Sequence, residues 1–80
     1  MELRISQNQF SSKIWYVRKV HDYMRTLTPQ GNWRSIIGGP DKPINSFRWA
    51  KAIAEKYYGP LRLIETTIYG DKIYYSPKSQ

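Results

Sequence analysis

The chain has 80 residues, with 13 Lys and Arg against six Asp and Glu, which gives a formal net charge of +7. This length predicts a single domain, residues 1–80, whose thin core leaves about zero to a few kcal/mol of net stability, so a homodimer could add to it. The absence of cysteine excludes disulfides and thiolate metal sites, and favours a cytoplasmic location. The longest apolar run, residues 14–17, is too short for a membrane span, so we expect no membrane partner.

Positive charge is spread over both halves of the chain. Lys and Arg outnumber Asp and Glu by six to two up to residue 40 and by seven to four after it. A compact basic domain favours polyanions, and nucleic acid is the first partner that this charge predicts. An acidic protein surface is the alternative partner, and solubility alone is the alternative reason for the charge.

The first half of the chain predicts a strand and a long helix. Residues 2–6 alternate polar and apolar side chains, which indicates a short strand at the edge of a sheet. Ser11-Ser12 suits a helix N-cap, and Pro29 ends the pattern. A strand over residues 14–17 is the alternative, because those residues favour β-structure. The helix prediction depends on an apolar stripe at steps of three and four: Ile14, Val17, Val20, Met24 and Leu27.

Two further helices are predicted after Pro29. Residues 32–37 indicate a short second helix, and GGPDKP then forces a turn. In NSFRWAKAIAEKYYGP, Asn45 or Ser46 caps a third helix, Gly59 ends it, and Pro60 prevents its continuation. One face of this helix is apolar: Phe47, Ala50, Ile53, Ala54 and Tyr57.

The last segment predicts a β-hairpin whose two-residue turn is Gly70-Asp71. This turn would place Thr66 opposite Tyr75. The side predicted to face the core comprises Ile64, Thr66, Ile68, Ile73 and Tyr75. The side predicted to face solvent comprises Glu65, Thr67, Tyr69, Lys72 and Tyr74.

The order strand, helix, short helix, helix, hairpin resembles a winged helix-turn-helix. The resemblance covers most of the chain and predicts an α+β fold in a small single domain. It implies that the last helix enters a major groove of DNA while the hairpin touches the flanking backbone or the minor groove. No family motif accompanies the element order, so no functional residue is carried over.

Candidate nucleic-acid-binding residues lie mainly on the third helix. Arg48 could contact a guanine edge or a phosphate, Lys51 and Lys56 would neutralise phosphates, and Trp49 could stack or face a partner. We call these four residues the helix surface. An ordinary solvated helix face is the alternative, since such faces are commonly charged.

Four more candidates lie outside the third helix. Arg34 precedes the GGPDKP turn and Lys42 lies within it, and the two could clamp a phosphate. On the hairpin, Lys72 could hold a backbone while Tyr74 stacks on a base. Cross-strand stabilisation of the hairpin is the alternative role of the tyrosines.

The leading hypothesis is a non-enzymatic nucleic-acid-binding protein of winged-helix type, with DNA placed ahead of RNA. It would act as a small regulator or an accessory factor, for example of a phage or mobile element. A protein-interaction module that docks exposed aromatic residues on an acidic partner is one alternative. A small basic ribonuclease is the other, although the only histidine, His21, and the adjacent Asp22 would point about 100° apart on a helix. No catalytic residue, metal site or cofactor is predicted.

Overall fold

The computed structural model describes residues 1–37 and 43–78. In chain order the elements are β1 (Glu2–Gln7), β2 (Trp15–Lys19), β3 (Arg25–Leu27), β4 (Trp33–Ser35), α1 (Phe47–Tyr58), β5 (Arg62–Thr66) and β6 (Lys72–Tyr75). Four strands form one antiparallel sheet in the order β2-β1-β6-β5, and β3 and β4 form a separate antiparallel pair. The described residues therefore make a small, mostly β domain with one helix.

The hydrophobic core lies between α1 and one face of the four-stranded sheet, where α1 packs against β1 and β2. Alternation along β1 directs Leu3 and Ile5 to this face, and Val17 of β2 lies directly opposite Ile5. Full burial of a side chain of this size contributes about 1.5–3 kcal/mol. The buried cluster comprises Leu3, Ile5, Val17, Leu27, Ile44, Ala50, Ile53, Ala54, Tyr58 and Tyr74.

The predicted strand at residues 2–6 is confirmed as β1, but its predicted place at an edge is wrong. β1 lies between β2 and β6. Its pairing with β6 joins distant parts of the chain, because Glu2 lies opposite Tyr75. The amino group of Met1 donates to the Ser76 carbonyl at 3.0 Å, and the Ser76 N–H donates to the Met1 carbonyl at 2.7 Å.

The predicted long helix after Ser11-Ser12 is wrong, and the alternative strand reading is correct for β2. Of the five stripe residues, Val17 lies in β2 and Leu27 in β3, and both are buried, whereas Met24 lies outside the strands and is 51% exposed. A turn separates the two strands, in which the Asp22 N–H donates to the Lys19 carbonyl and the Met24 N–H to the Asp22 carboxylate. The hydrogen-bonded turn therefore interrupts this segment, although the spacing of its apolar residues matches that of a helix.

The short helix predicted over residues 32–37 is also wrong, because β4 pairs with β3 there and places Trp33 opposite Leu27. Gly31 in the connecting turn has φ +92°, a region that favours glycine. The Trp33 indole N–H donates to the Tyr58 hydroxyl at 2.9 Å. This contact fastens the small sheet to α1. The predicted turn at residues 38–42 lies outside the described residues.

The third predicted helix is confirmed as α1. Ser46, one of the two predicted caps, adopts an extended conformation and accepts the Trp49 N–H at 3.1 Å. Gly59 ends the helix with φ 77°. The predicted apolar face is largely correct: Ala50, Ile53 and Ala54 are buried.

Ser46→Ala is expected to lower the free energy of unfolding by about 1 kcal/mol, because it leaves the Trp49 N–H at the helix start without its side-chain acceptor. Urea unfolding followed by circular dichroism measures this change. Ser12→Ala is the matched control: Ser12 is exposed and, within the described ranges, its hydroxyl makes no hydrogen bond. An equal loss in both variants would contradict the capping role.

The predicted hairpin exists, but its register and its two faces are wrong. The turn spans Thr67 to Asp71, whose backbone groups are hydrogen-bonded, and β6 places Tyr75 opposite Arg62 rather than Thr66. An irregularity between Leu63 and Glu65 adds one residue to β5. Tyr74 lies opposite Leu3 of β1 on the core face and is buried, while Ile68 is 93% exposed. A shift of one residue exchanges the faces of a strand.

The winged helix-turn-helix layout is wrong as a whole. Two of the three predicted helices are strands, and the hairpin belongs to a central sheet instead of projecting as a wing. α1 packs along that sheet, so no helix pair of the kind that presents a recognition helix exists among the described residues.

Candidate nucleic-acid interface

Three cationic side chains gather on one flank of α1, beside β6. We call this surface the cationic flank; it consists of Arg48, Lys51 and Lys72, with Phe47 and Tyr74 beneath the lysines. The Lys51 Nζ lies 5.5 Å from the centre of the Tyr74 ring. The Lys72 Nζ lies 6.0 Å from the centre of the Phe47 ring. Each lysine therefore reaches from its own element to a ring on the other.

The spacing of residues along α1 and along β6 allows both lysine–ring contacts to form. Phe47 and Lys51 are one helical turn apart on α1, and Lys72 and Tyr74 are two residues apart on one face of β6. Both ammonium groups therefore occupy the gap between α1 and β6. Arg48 is exposed and lies about 60° around the helix axis from Lys51. It borders the same gap on its solvent side.

The flank carries an excess of positive charge. Among the described residues neither Lys51 nor Lys72 forms a salt bridge, since the two ion pairs there join Arg4 to Asp71 and Arg25 to Asp22. Glu55 follows Lys51 by one turn and is the carboxylate on this side of α1. Burial, together with the charge of Glu55, raises the pKa of the Tyr74 hydroxyl above its usual value. Three cations thus face one carboxylate.

Tyr74 cannot stack on a base as the sequence predicted, because it is only 4% exposed. Phe47 is half-buried, with its ring 5.8 Å from that of Trp15 in an edge-on arrangement. The two aromatic rings support the lysines from below, by cation–π contacts of about 0.5–1 kcal/mol at exposed sites. The flank therefore presents cationic groups at its surface, and Tyr74 beneath them is not available for stacking.

The predicted helix surface does not form one patch. Around the helix axis Trp49 lies about 160° from Lys51, and Lys56 lies about 140° from it. Trp49 is 38% exposed. The Lys56 Nζ lies 5.3 Å from the ring of its neighbour Tyr57. The structure thus brings Lys51 to Tyr74 and Lys72 to Phe47, and the helix period places Arg48 beside Lys51. Trp49 and Lys56 lie on the other side of α1.

The predicted phosphate clamp stays a prediction, because only one of its two residues is described. Arg34 lies on β4 opposite Thr26 and is exposed. Lys42 lies outside the described residues. Trp15 and Trp33 are half-buried and pack against α1, which accounts for two of the three tryptophans by folding.

Two arginines that the sequence did not single out lie on the sheet face away from α1. Arg4 of β1 lies directly opposite Arg18 of β2. Arg18 donates to the Ser6 hydroxyl at 2.9 Å and to the Tyr23 carbonyl at 3.2 Å. Burial lowers the pKa of the Arg18 guanidinium below its usual value. These bonds fasten the turn after β2 to the sheet, so the arginine is engaged structurally. If β2 had been predicted as a strand, the alternation of its side chains would have placed Arg18 on the face opposite to that of Val17.

His21 is exposed in the turn that follows β2. The neighbouring Asp22 accepts hydrogen bonds from the Arg25 side chain at 2.8 Å and from the Met24 N–H at 3.0 Å. The Arg25 contact, followed by the Met24 contact, holds the pKa of the Asp22 carboxyl below its usual value. Within the described turn the Asp22 carboxylate is thus committed to Arg25 and Met24, and no bond to His21 forms.

No protein-family model, curated protein or solved structure matches this chain. Over residues 1–37 and 43–78, no helix has the length and apolar character that crossing a membrane requires. In the same ranges, no three His, Cys, Asp or Glu side chains are grouped so that they could hold a metal ion. The fold and the cationic flank define a small, basic, mostly β domain that carries Arg48, Lys51 and Lys72 on one flank of its helix.

Proposed function

We propose that the chain binds nucleic acid without catalysis, through phosphate contacts made by the cationic flank. Duplex DNA is the partner that we place first and RNA the second. A small regulatory or accessory role in the cytoplasm accords with the size and the cysteine-free sequence. In this mode of binding no recognition helix enters a groove. A flank formed by α1 and β6 follows the sugar-phosphate backbone instead.

The observation that carries the proposal is the placement of Lys51 and Lys72 in one gap without a described carboxylate partner for either. Two ammonium groups on facing elements repel each other, and the cation–π contacts offset that repulsion. A bound phosphate would be attracted to both ammonium groups. Arg48, at the solvent side of the gap, would extend the contact along the backbone.

A salt-titrated binding measurement tests this function. Fluorescence anisotropy with labelled duplex DNA, single-stranded DNA and RNA should show binding whose log K falls linearly with log salt. For three phosphate contacts on duplex DNA we expect a slope of about −2.7. Arg48→Ala should reduce the slope by about 0.9 and weaken binding uniformly across sequences if Arg48 contacts phosphate.

Lys78→Ala is the matched control for net charge. Lys78 is exposed and follows Ser76, whose hydroxyl donates to the Tyr58 carbonyl at the far end of α1 from Arg48. The salt slope should be unchanged in this variant. The proposal fails if none of the three nucleic acids binds near physiological salt, or if affinity does not respond to salt. A loss of sequence preference alone in Arg48→Ala would place Arg48 at a base edge instead.

Docking of a protein partner is the second candidate, and the exposed loop tips favour it. Phe10, in the loop after β1, is 87% exposed, and Tyr69, in the turn before β6, is 84% exposed. Because β1 and β6 are antiparallel neighbours, this loop and this turn lie at the same end of the sheet. A pull-down from nuclease-treated lysate would support docking if one stoichiometric protein is retained by the natural sequence and lost by Phe10→Ser.

The ribonuclease alternative requires cleaved RNA in the same binding mixtures, and His21→Ala should then abolish the cleavage.

A further inference from the structure

The outer edge of β5 is unpaired in the described sheet. β5 is the last strand in the order β2-β1-β6-β5, and all five of its residues are exposed. Leu63 and Ile64 are each 50% exposed. An edge strand presents a row of unpaired N–H and C=O groups, and an apolar pair on such an edge is a template for pairing with another chain.

The charges of β5 are complementary to a second copy of the same strand. In an antiparallel arrangement with Leu63 opposite the second copy's Ile64, Arg62 lies opposite the second copy's Glu65. The twofold axis repeats this pair, so one dimer contains two of them. Within the described part of the chain Glu65 forms no ion pair of its own. Arg62 lies with its guanidinium 5.5 Å from the ring centre of Tyr75.

The irregularity in β5 makes this pairing geometrically consistent. Residues that lie directly opposite each other in an antiparallel pair must point to the same face. Residues three apart in a regular strand point to opposite faces, but β6 places Arg62 opposite Tyr75 and Glu65 opposite Ile73, which share a face. The extra residue between Leu63 and Glu65 therefore brings Arg62 and Glu65 onto one face.

We propose that two copies of this chain associate antiparallel through β5 and form a continuous eight-stranded sheet. The contact comprises one short strand from each copy, well below the area of a standard interface, and two chains of charge +7 repel each other. The dimer is therefore weak and belongs to the transient class of associations. Arg62–Glu65 pairs set its register.

Charge reversal tests the register. Sedimentation equilibrium across the micromolar range, without nucleic acid, should show a monomer–dimer equilibrium for the natural sequence. Arg62→Glu and Glu65→Arg should each weaken self-association at least tenfold, because each creates two like-charge pairs. An equimolar mixture of these two variants should restore dimers, since every cross pair is then opposite in charge. The double variant R62E/E65R should also dimerise.

Several outcomes would overturn the dimer. They are a monomer at every concentration, unaltered self-association in both single variants, or failure of the mixture to associate. Far-ultraviolet circular dichroism of each variant confirms that it folds, which is expected because both positions are exposed. Association through another surface would appear as dimers that ignore these reversals. Because no nucleic acid is present, loss of nucleic-acid binding leaves this result unaffected.

Discussion

Replacing Lys51 and Lys72 together by glutamine is expected to weaken binding of duplex DNA roughly thirtyfold. A unit charge pair about 4 Å apart in water contributes about 1 kcal/mol, so two lost phosphate contacts remove about 2 kcal/mol. The salt slope should fall by about 1.8 at the same time. Anisotropy titrations of the double variant beside the natural sequence measure both quantities.

The free energy of unfolding of the double variant shows whether the two lysines serve DNA binding or folding. Glutamine at positions 51 and 72 removes two cation–π contacts and also removes the repulsion between two ammonium groups, so the two changes offset each other. We therefore expect the free energy of unfolding to change by less than about 1 kcal/mol. A variant that loses stability while keeping its DNA affinity would show that the lysines serve folding alone. An equal loss of affinity in Lys78→Ala would attribute binding to net charge.

Gly31→Ala is expected to lower the free energy of unfolding by about 3 kcal/mol or more. Gly31 has φ +92°, and a Cβ at this position would lie 2.6 Å from Cε1 of Tyr57. The ring cannot swing away freely, because the Tyr57 hydroxyl donates to the Pro29 carbonyl at 2.9 Å. Backbone strain and ring displacement therefore add. Urea unfolding measures the loss, which is large for a domain of this size.

Gly70→Ala isolates the backbone part of that effect. Gly70 has φ +87°, but a Cβ there would meet no heavy atom within 4 Å. This variant should lose only about 1–2 kcal/mol. Tyr57→Leu introduced beside Gly31→Ala should recover part of the larger loss, since the shorter side chain frees the space. Equal effects of the two glycine variants would contradict the packing of Tyr57 over the turn.

The sequence predicted α1 and β1 correctly because each carries its own local signals. α1 has a cap, an apolar face and a terminating Gly59, and β1 alternates around Leu3 and Ile5. The helix predicted over residues 14–27 was wrong for the opposite reason. Their apolar spacing matches a helix, yet it arises from two strands whose partners lie elsewhere in the chain. Pairing with β1 and β4 decides that segment, and a local pattern does not contain those partners.

The candidate site was predictable in its residue types and only partly in its geometry. The helix period placed Lys51 beside Arg48, and the hairpin made Lys72 a candidate. The burial of Tyr74 depends on the pairing of β6 with β1, which places Tyr74 opposite the buried Leu3, and a local pattern does not contain that partner. The meeting of Lys51 with Tyr74 depends on where α1 docks on the sheet. The position at which α1 docks is decided by side-chain packing, and the spacing of residues along the chain does not contain it.

The hydrogen bonds that join Met1 to Ser76 also govern the order in which this domain can form. β1 pairs with β6, although β2, β3, β4, α1 and β5 lie between them in the chain. Closing a loop of that length costs entropy before any contact is gained, and folding slows as contacts become more distant in sequence. Until β6 has paired, one edge of β1 remains open to other chains. A chain in which β6 has not yet docked is therefore the form most vulnerable to aggregation.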